Sequence, residues 1–258
     1  MAMVLRSDAD ASAYSKKMLS SQQPGLILLG VFDTSEGKAT NNFSLSGADE
    51  TWEVVGTPTI GLTGTEFKAR SNFLQTEVQE PAGDLTVMCV GRALHTRDEI
   101  LAGGGAFQPL MVGSYAAVSG QYSGIAAGFS ASTGNFSVAR AIRRTDGSTV
   151  MLTANMGNTI NYTTWHLFAM RFNTATRTVV MDAITHGVKT TNVESDTGAV
   201  AVRGTDPRIR IGSGYTSQSG PSAISQVRMW NRYLSDAALA EVAAEMRLYE
   251  LEHNGRTV

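Results

Sequence analysis

Trp165-His166-Leu167-Phe168-Ala169-Met170-Arg171-Phe172-Asn173, the link Thr174-Ala175-Thr176, and Arg177-Thr178-Val179-Val180-Met181-Asp182-Ala183 form the stretch on which the fold turns. Two runs of strand length, separated by a few small polar residues, predict an antiparallel hairpin. Leu167-Phe168-Ala169-Met170 is apolar at consecutive rather than alternate positions, so both faces of this strand need cover. Val87-Met88-Cys89-Val90 has the same character, and both read as central strands buried on two sides.

Outward from this centre the chain continues as short apolar or alternating runs separated by Gly, Asn, Asp and Ser, the signature of an all-β domain. The runs are Leu26 to Phe32, Glu53 to Val55, Glu66 to Phe67, Phe73 to Val78, Leu85 to Leu94, Leu110 to Val112, Gly124 to Phe129, Phe136 to Ile142, Thr149 to Ala154, Arg208 to Ile211 and Ala223 to Trp230. Residues 102–135, with Gly103-Gly104-Gly105 and five further glycines, read as the main irregular stretch. Their spacing lacks the dinucleotide-binding pattern and no βαβ context surrounds it.

Both ends read as helical. Over residues 6–20, Ser7 can cap, Asp8 and Asp10 fall in the first turn, Lys16 and Lys17 in the last, and Pro24-Gly25 stops the helix. Ser235 caps a longer helix to about His253, on which Leu239, Val242, Ala243, Met246 and Tyr249 form a docking stripe. Ala244, Leu248 and Leu251 point away from it. With Tyr14 and Met18 on the first helix, they are candidate partner contacts; the alternative is that the terminal helices cover each other.

Composition narrows the class. In 258 residues, 42% are hydrophobic and 17% charged, and the formal charge is -2, so a core is available and no general electrostatic attraction to nucleic acid is expected. Cys89, the one cysteine, excludes an internal disulfide and any multi-cysteine metal site. No apolar run reaches the ~20 residues of a membrane-spanning helix. Met1 to Leu5 is too short for a signal-peptide core, and no export signal is expected from it.

Three stretches in order carry a resemblance: Gly83-Asp84-Leu85-Thr86-Val87-Met88, Trp165 to Phe172, and Ile209-Arg210-Ile211-Gly212 with Ile224 to Leu239. Together they resemble the concanavalin A-like jelly roll of the laminin G and pentraxin type, and Val227-Arg228-Met229-Trp230-Asn231-Arg232-Tyr233-Leu234-Ser235-Asp236 is similar to that family's ending. The resemblance implies an all-β, two-sheet antiparallel jelly-roll sandwich with a short N-terminal and a longer C-terminal helix. The organisation expected is a helical arm over 1–24, the sandwich over 25–234, and the last helix packed on it over 235–258. Departures bear on function. Met181-Asp182-Ala183-Ile184 stands where the family has Tyr-x-Asp-Gly, and Ser225 stands where an acidic residue is usual. No cofactor is expected: calcium-binding members need converging oxygen ligands, and no Asp/Asn cluster of that kind stands out beyond Asp8 and Asp10.

Catalysis finds little support. Glycosidases of this fold class use Glu-x-Asp-x-x-Glu, and the nearest match, Glu194-Ser195-Asp196-Thr197-Gly198-Ala199, has Ala199 in place of the acid and reads as a solvated loop. His95, His166, His186 and His253 show no metal spacing. Sugars present apolar faces and hydroxyl edges, so a lectin-type site wants an exposed aromatic beside amides or hydroxyls. Tyr115, Gln121 and Tyr122 supply that mixture, as do Tyr215, Ser217 and Gln218, with Trp52 a further candidate. The competing reading makes each a loop aromatic covering the core.

Two functions follow. The first is a non-catalytic virion structural or adhesion subunit, such as a bacteriophage tail-fibre, baseplate or head-surface component assembled in the host cytoplasm. Its partners would be other virion proteins, further copies of itself, and host surface polysaccharide. The second is a carbohydrate-active enzyme or its binding module.

Overall fold

The computed structural model describes residues 20–33, 39–44, 51–130, 132–157, 160–216 and 218–258. The expected N-terminal helix, with Tyr14 and Met18, and Ser217 of the loop after Gly212 lie outside the described residues. The strands are β1 (Leu26–Val31), β2 (Glu53–Val55), β3 (Thr59–Gly61), β4 (Gly64–Lys68), β5 (Phe73–Gln79), β6 (Leu85–Ala93), β7 (Leu110–Gly113), β8 (Ala116–Val118) and β9 (Gln121–Ser123). They continue as β10 (Ile125–Phe129), β11 (Phe136–Arg143), β12 (Thr149–Asn155), β13 (His166–Asn173), β14 (Thr178–Ala183), β15 (Val188–Val193), β16 (Val200–Ala201), β17 (Arg208–Ile211) and β18 (Pro221–Trp230). Helix α1 spans Arg97–Gly103 and α2 spans Asp236–Asn254.

Two eight-stranded antiparallel sheets make a jelly-roll sandwich. The first runs β15-β14-β13-β6-β18-β4-β3, with β1 also on β18; the second runs β12-β11-β10-β7-β17-β5-β2, with β16 also on β11. The β13–β14 hairpin forms with Asn173 opposite Thr178, and Arg177 leaves the expected strand to sit in the turn at φ 52°. β13 pairs β6 from His166↔Gly91 to Phe172↔Leu85, which makes these two strands central.

Alternation along this pair creates two cores. Leu85, Val87, Cys89, Phe168, Met170 and Phe172 face the second sheet and join Phe67, Val138, Ile211 and Met229. Met88, Val90, Leu167 and Ala169 face the other way and are covered by Leu239, Val242, Ala243 and Met246 of α2. The C-terminal helix is therefore a third layer. Ser235 caps it, its hydroxyl accepting from Ala238 N–H at 3.2 Å, and Gly255 ends it in the left-handed region at φ 63°, which glycine adopts without steric cost.

Buried polar groups fix its position. Arg171, almost fully buried, donates to both Asp182 oxygens (2.8 and 2.9 Å), to Leu234 C=O (3.0 Å) and to Asp236 in the first turn of α2 (2.7 Å). At the other end Glu250 is fully buried and accepts from Ser225, Gln226, Asn254 and Arg256. Ser225 thus meets a carboxylate supplied by the helix. Between the two, Arg228 reaches Glu245 at 2.6 Å.

Several expectations need correction. Trp165, which opens the run read as a central buried strand, is half-buried, and its ring lies under the guanidinium groups of Arg256 (3.7 Å) and Arg92 (5.3 Å). The glycine-rich stretch is less irregular than it reads: besides β7 and β10 it holds the β8–β9 hairpin, whose Ser119 and Gly120 both take positive φ (51° and 78°), the demand of a type I′ turn. Helix α1 and strand β15 were not expected. Thr96-Arg97-Asp98-Glu99 is a capping box with both reciprocal hydrogen bonds present, a signal readable in the sequence. β15 is mostly exposed and carries no apolar alternation.

Leu239 tests the layer assignment. Leu239→Ala is expected to lower unfolding free energy by about 2 to 5 kcal/mol in urea denaturation, the usual cost of truncating a buried leucine. A loss below ~1 kcal/mol would place α2 elsewhere.

Candidate functional site: the outer face of the second sheet

The outer face of the first sheet lies under α2, whereas that of the second carries open grooves. Along β10 the inward residues Ile125, Ala127 and Phe129 enter the core, leaving Ala126 and Gly128 outward; along β11 Phe136 and Val138 go in, leaving Ser137 and Ala139 out. The side chains of Ala126, Ser137 and Ala139 and the bare backbone of Gly128 floor a groove of about 320 Å³. Gln108, Tyr115, Met151, Thr153, Asn155 and Gln218 contribute to its sides. Gln218 is 8% exposed, and its side-chain carbonyl oxygen has no hydrogen-bond partner among the described residues. An unpaired buried acceptor costs about 1 to 3 kcal/mol; this oxygen is itself closed off from solvent, so a ligand hydroxyl reaches it when the side chain turns outward into the groove.

A second groove, about 630 Å³, lies beside the β8–β9 hairpin and is lined by Gln121, Tyr122, Arg143, Thr149, Arg203 and Tyr215 among others. The Tyr115 and Tyr122 rings stack at 6.5 Å between centroids. Thr149 ties the hairpin to β12: its hydroxyl accepts from Tyr122 N–H at 2.8 Å and donates to Gln121 Oε1 at 3.1 Å.

The structure distributes the expected sugar-contact residues over both grooves. Tyr115 and Gln218 line the first; Gln121, Tyr122 and Tyr215 line the second. Their exposure departs from expectation. Tyr115 is buried, 9% exposed, so it presents an edge of a wall rather than a free ring. Tyr215 has the Arg210 guanidinium 3.5 Å from its ring centre and its hydroxyl bonded to Gln75 and Arg208 C=O, so its ring is packed against its own chain. Trp52 is buried in the core beside Phe32 and is no rim residue. Gln108, Thr153, Asn155, Arg143 and Arg203 were not singled out from sequence. The available signal was the run of small residues at the outward positions of β10 and β11, where a solvated strand face would carry polar or charged side chains.

The carboxylates of the stretch nearest to the glycosidase pattern serve the turns. Glu194 is 4% exposed rather than solvated. Its Oε2 accepts from Arg144 at 2.9 and 3.1 Å and its Oε1 from Asp196 N–H at 3.0 Å. Asp196 accepts from Thr145 N–H and Oγ and from Gly198 N–H. The Asp196 N–H and then Arg144 hold the Glu194 carboxyl below its ordinary range, and the Thr145 and Gly198 N–H groups do so for Asp196. Both are ionised at neutral pH, so neither can serve as a proton donor. Cys89 is fully buried and its thiol is pushed well up by desolvation. His166 bonds Asn161 C=O and sits 2.9 Å from His186, with burial lowering the pKa of both. Among the described residues no group of three or more His, Cys, Asp or Glu is placed to hold a metal, and no helix is long and apolar enough to cross a membrane. On α2, Ala244, Leu248 and Leu251 are exposed.

No family model matches the sequence, and no curated protein matches it. Solved structures do match in fold. The binding domain of botulinum neurotoxin DC in complex with SialylT superposes with a TM-score of 0.58 at 10% identity, covering 86% of this chain and 52% of that one. The receptor-binding domain of the botulinum neurotoxin C/D mosaic serotype gives 0.57 at 12%, covering 86% and 52%. The serotype D binding domain gives 0.56 at 11%, covering 86% and 53%. The chain spans about half the length of these structures, and at such identities the likeness is one of fold.

The turn carboxylates predict an acid sensitivity of definite sign. A carboxyl whose folded pKa is depressed contributes stability that is fully present above its unfolded value, about 4, and is lost as pH falls through the folded value. Between about pH 6 and about pH 2.5, the melting temperature of the wild type should fall further than that of the Glu194→Gln/Asp196→Asn double variant. Parallel profiles would refute the assignment.

Proposed function

We propose that this chain is a non-catalytic glycan-binding domain that uses the outer face of the second sheet. One observation carries the reading: an open groove with a small-residue floor, amide and hydroxyl sides, and a buried Gln218 carbonyl oxygen with no partner among the described residues. A pyranose offers a flat apolar face to such a floor and hydroxyls to the amide and hydroxyl sides, and to the Gln218 oxygen once that side chain turns outward. The likeness to receptor-binding domains supports the class of work. SialylT and rat synaptotagmin II are partners of the botulinum neurotoxin DC binding domain, whose chain is about twice the length matched.

Single sites of this kind bind weakly and gain strength when several copies are linked, so a multimeric preparation on a glycan array is the appropriate assay. Binding is expected, with no reducing-sugar release from the bound polysaccharide. Gln218→Leu, which removes the acceptor at similar volume, should weaken binding about tenfold, as loss of one buried hydrogen bond would. Thr153→Trp should block the groove with the melting temperature kept. Unchanged binding in both variants, or none by the wild type, would overturn the reading. Turnover abolished by Glu194→Gln or Asp196→Asn would favour the enzyme instead.

The setting we attach to this activity, a virion subunit of the laminin G-like type, rests on the sequence resemblance. In that setting the exposed Ala244, Leu248 and Leu251 stripe of α2 is the contact surface for a second copy of the chain. Leu248→Ser/Leu251→Ser should dissociate an oligomer seen by size-exclusion with light scattering while leaving the melting temperature unchanged. A wild type that is monomeric throughout would reject this surface.

A further inference from the structure

The groove beside the β8–β9 hairpin differs from its neighbour in charge. Strand alternation places Arg143, the last residue of β11, on the same outer face as Ser137 and Ala139, while Arg144 turns away to Glu194. Arg143 is exposed, and its side chain makes no ion pair or hydrogen bond among the described residues. Arg203, just after β16, is exposed as well; its Nη1 donates to the backbone C=O of Glu80 at 3.1 Å, which orients the guanidinium without neutralising it.

The carboxylates nearby are engaged elsewhere. Asp206, the one acid lining this groove, gives both oxygens to Arg208, at 2.9 and 2.7 Å. The Glu80 carboxylate is fully buried behind the groove, 3.3 Å from Arg140 and bonded to Ser114. Asp146, on the turn bearing Gly147, is hydrogen-bonded by Ser148, and its charged neighbours are Arg144 and Asp196. Two guanidinium groups therefore line a concave surface in a chain whose net charge is -2. Arginine matches carboxylate and sulfate geometry through paired N–H donors. Tyr122 and Thr149 line the same groove, where a sugar ring has an aromatic edge and a hydroxyl to meet.

We propose that Arg143 and Arg203 form an anionic subsite that makes this face selective for acidic saccharides, those bearing carboxylate or sulfate groups. The proposal rests on the glycan-binding reading above and deepens it. The outer face then has two parts: a neutral groove at Gln218 that holds a ring by its hydroxyls, and a basic end that recognises a charged substituent.

The test compares a neutral oligosaccharide, its uronic-acid counterpart and a sulfated counterpart by titration calorimetry at low and high salt. The acidic ligands should bind at least about tenfold tighter than the neutral one at low salt, the scale of one charge-assisted hydrogen-bonded pair. That advantage should shrink as salt rises. Arg143→Gln/Arg203→Gln should abolish the advantage while leaving affinity for the neutral ligand unchanged, and Arg143→Gln alone, whose side chain has no partner among the described residues, should reduce it with the melting temperature kept. Gln218→Leu should weaken neutral and acidic ligands alike. The carboxylate and sulfate arms tell which anion the pair prefers. Equal affinity for neutral and acidic ligands, or a preference that survives the arginine changes, overturns the subsite and leaves the neutral groove standing. Binding of no saccharide overturns both. A single-stranded oligonucleotide that binds with the same arginine dependence, where acidic sugars do not, reassigns the pair to nucleic-acid phosphate and overturns the proposal.

Discussion

A sheet that is apolar on both faces cannot stand in a two-layer sandwich, and that constraint organises the molecule. β6 and β13 present Val87, Cys89, Phe168 and Met170 to one side and Met88, Val90, Leu167 and Ala169 to the other. The second sheet covers the first set; among the described residues α2, together with Phe43, Leu234 and Val258, covers the second. The helix is thus part of the minimum structure rather than an appendage, and the polar groups that seat it are correspondingly buried. Arg171 holds its first turn through Asp236 and Leu234 C=O, and Glu250 holds its last turn against β18. Buried ion pairs gain little net stability over apolar packing, but removing one partner strands a charge at a cost of about 3 to 5 kcal/mol. These groups therefore penalise any other seating of the helix.

The same division of labour leaves the second sheet with an open outer face. Its inner residues are fully used in the sandwich core, and outward positions on β10 and β11 carry Ala126, Gly128, Ser137 and Ala139 in place of bulk. Small side chains between taller neighbours produce a depression without any irregularity of the backbone. The β8–β9 hairpin then stands beside it, pinned to β12 by Thr149, and separates a neutral groove from a basic one. Edge β15 is handled differently: its exposed Val188 and Val193 are interspersed with Lys189, Thr190, Thr191 and Asn192, a polar edge that discourages further strand pairing.

Buried charge also marks the end of the sandwich next to the basic groove. Glu80 and Arg140 lie between the sheets with no exposure, and burial raises the Glu80 carboxyl pKa against the opposing pull of Arg140, Ser114 and Arg203. Arg140 in turn donates to the carbonyls of Pro81 and Gly83, closing the turn from β5 to β6. The backbone of Glu80 orients Arg203, so the position of one groove residue is set by a network whose other members never reach the surface.

Periodicity and turn chemistry by themselves determined the all-β class, most strand positions, the β13–β14 hairpin, the Ser235 cap and the α2 docking stripe, because each depends on side chains within one segment. The same information placed Tyr115, Gln121, Tyr122, Tyr215 and Gln218 in candidate loops, and all five do line the two grooves. Which of them is accessible was a tertiary matter: Arg210 covers Tyr215 from β17, and the buried Tyr115 stacks against Tyr122 of the hairpin. Glu194 likewise reads as solvated until Arg144, fifty residues away in sequence, closes on it. Arg143 and Arg203 are sixty residues apart, and nothing local distinguishes them from the arginines that Glu194 and Asp206 neutralise. Only the folded chain decides which charges find partners, because pairing across sheets depends on distances that sequence separation does not encode.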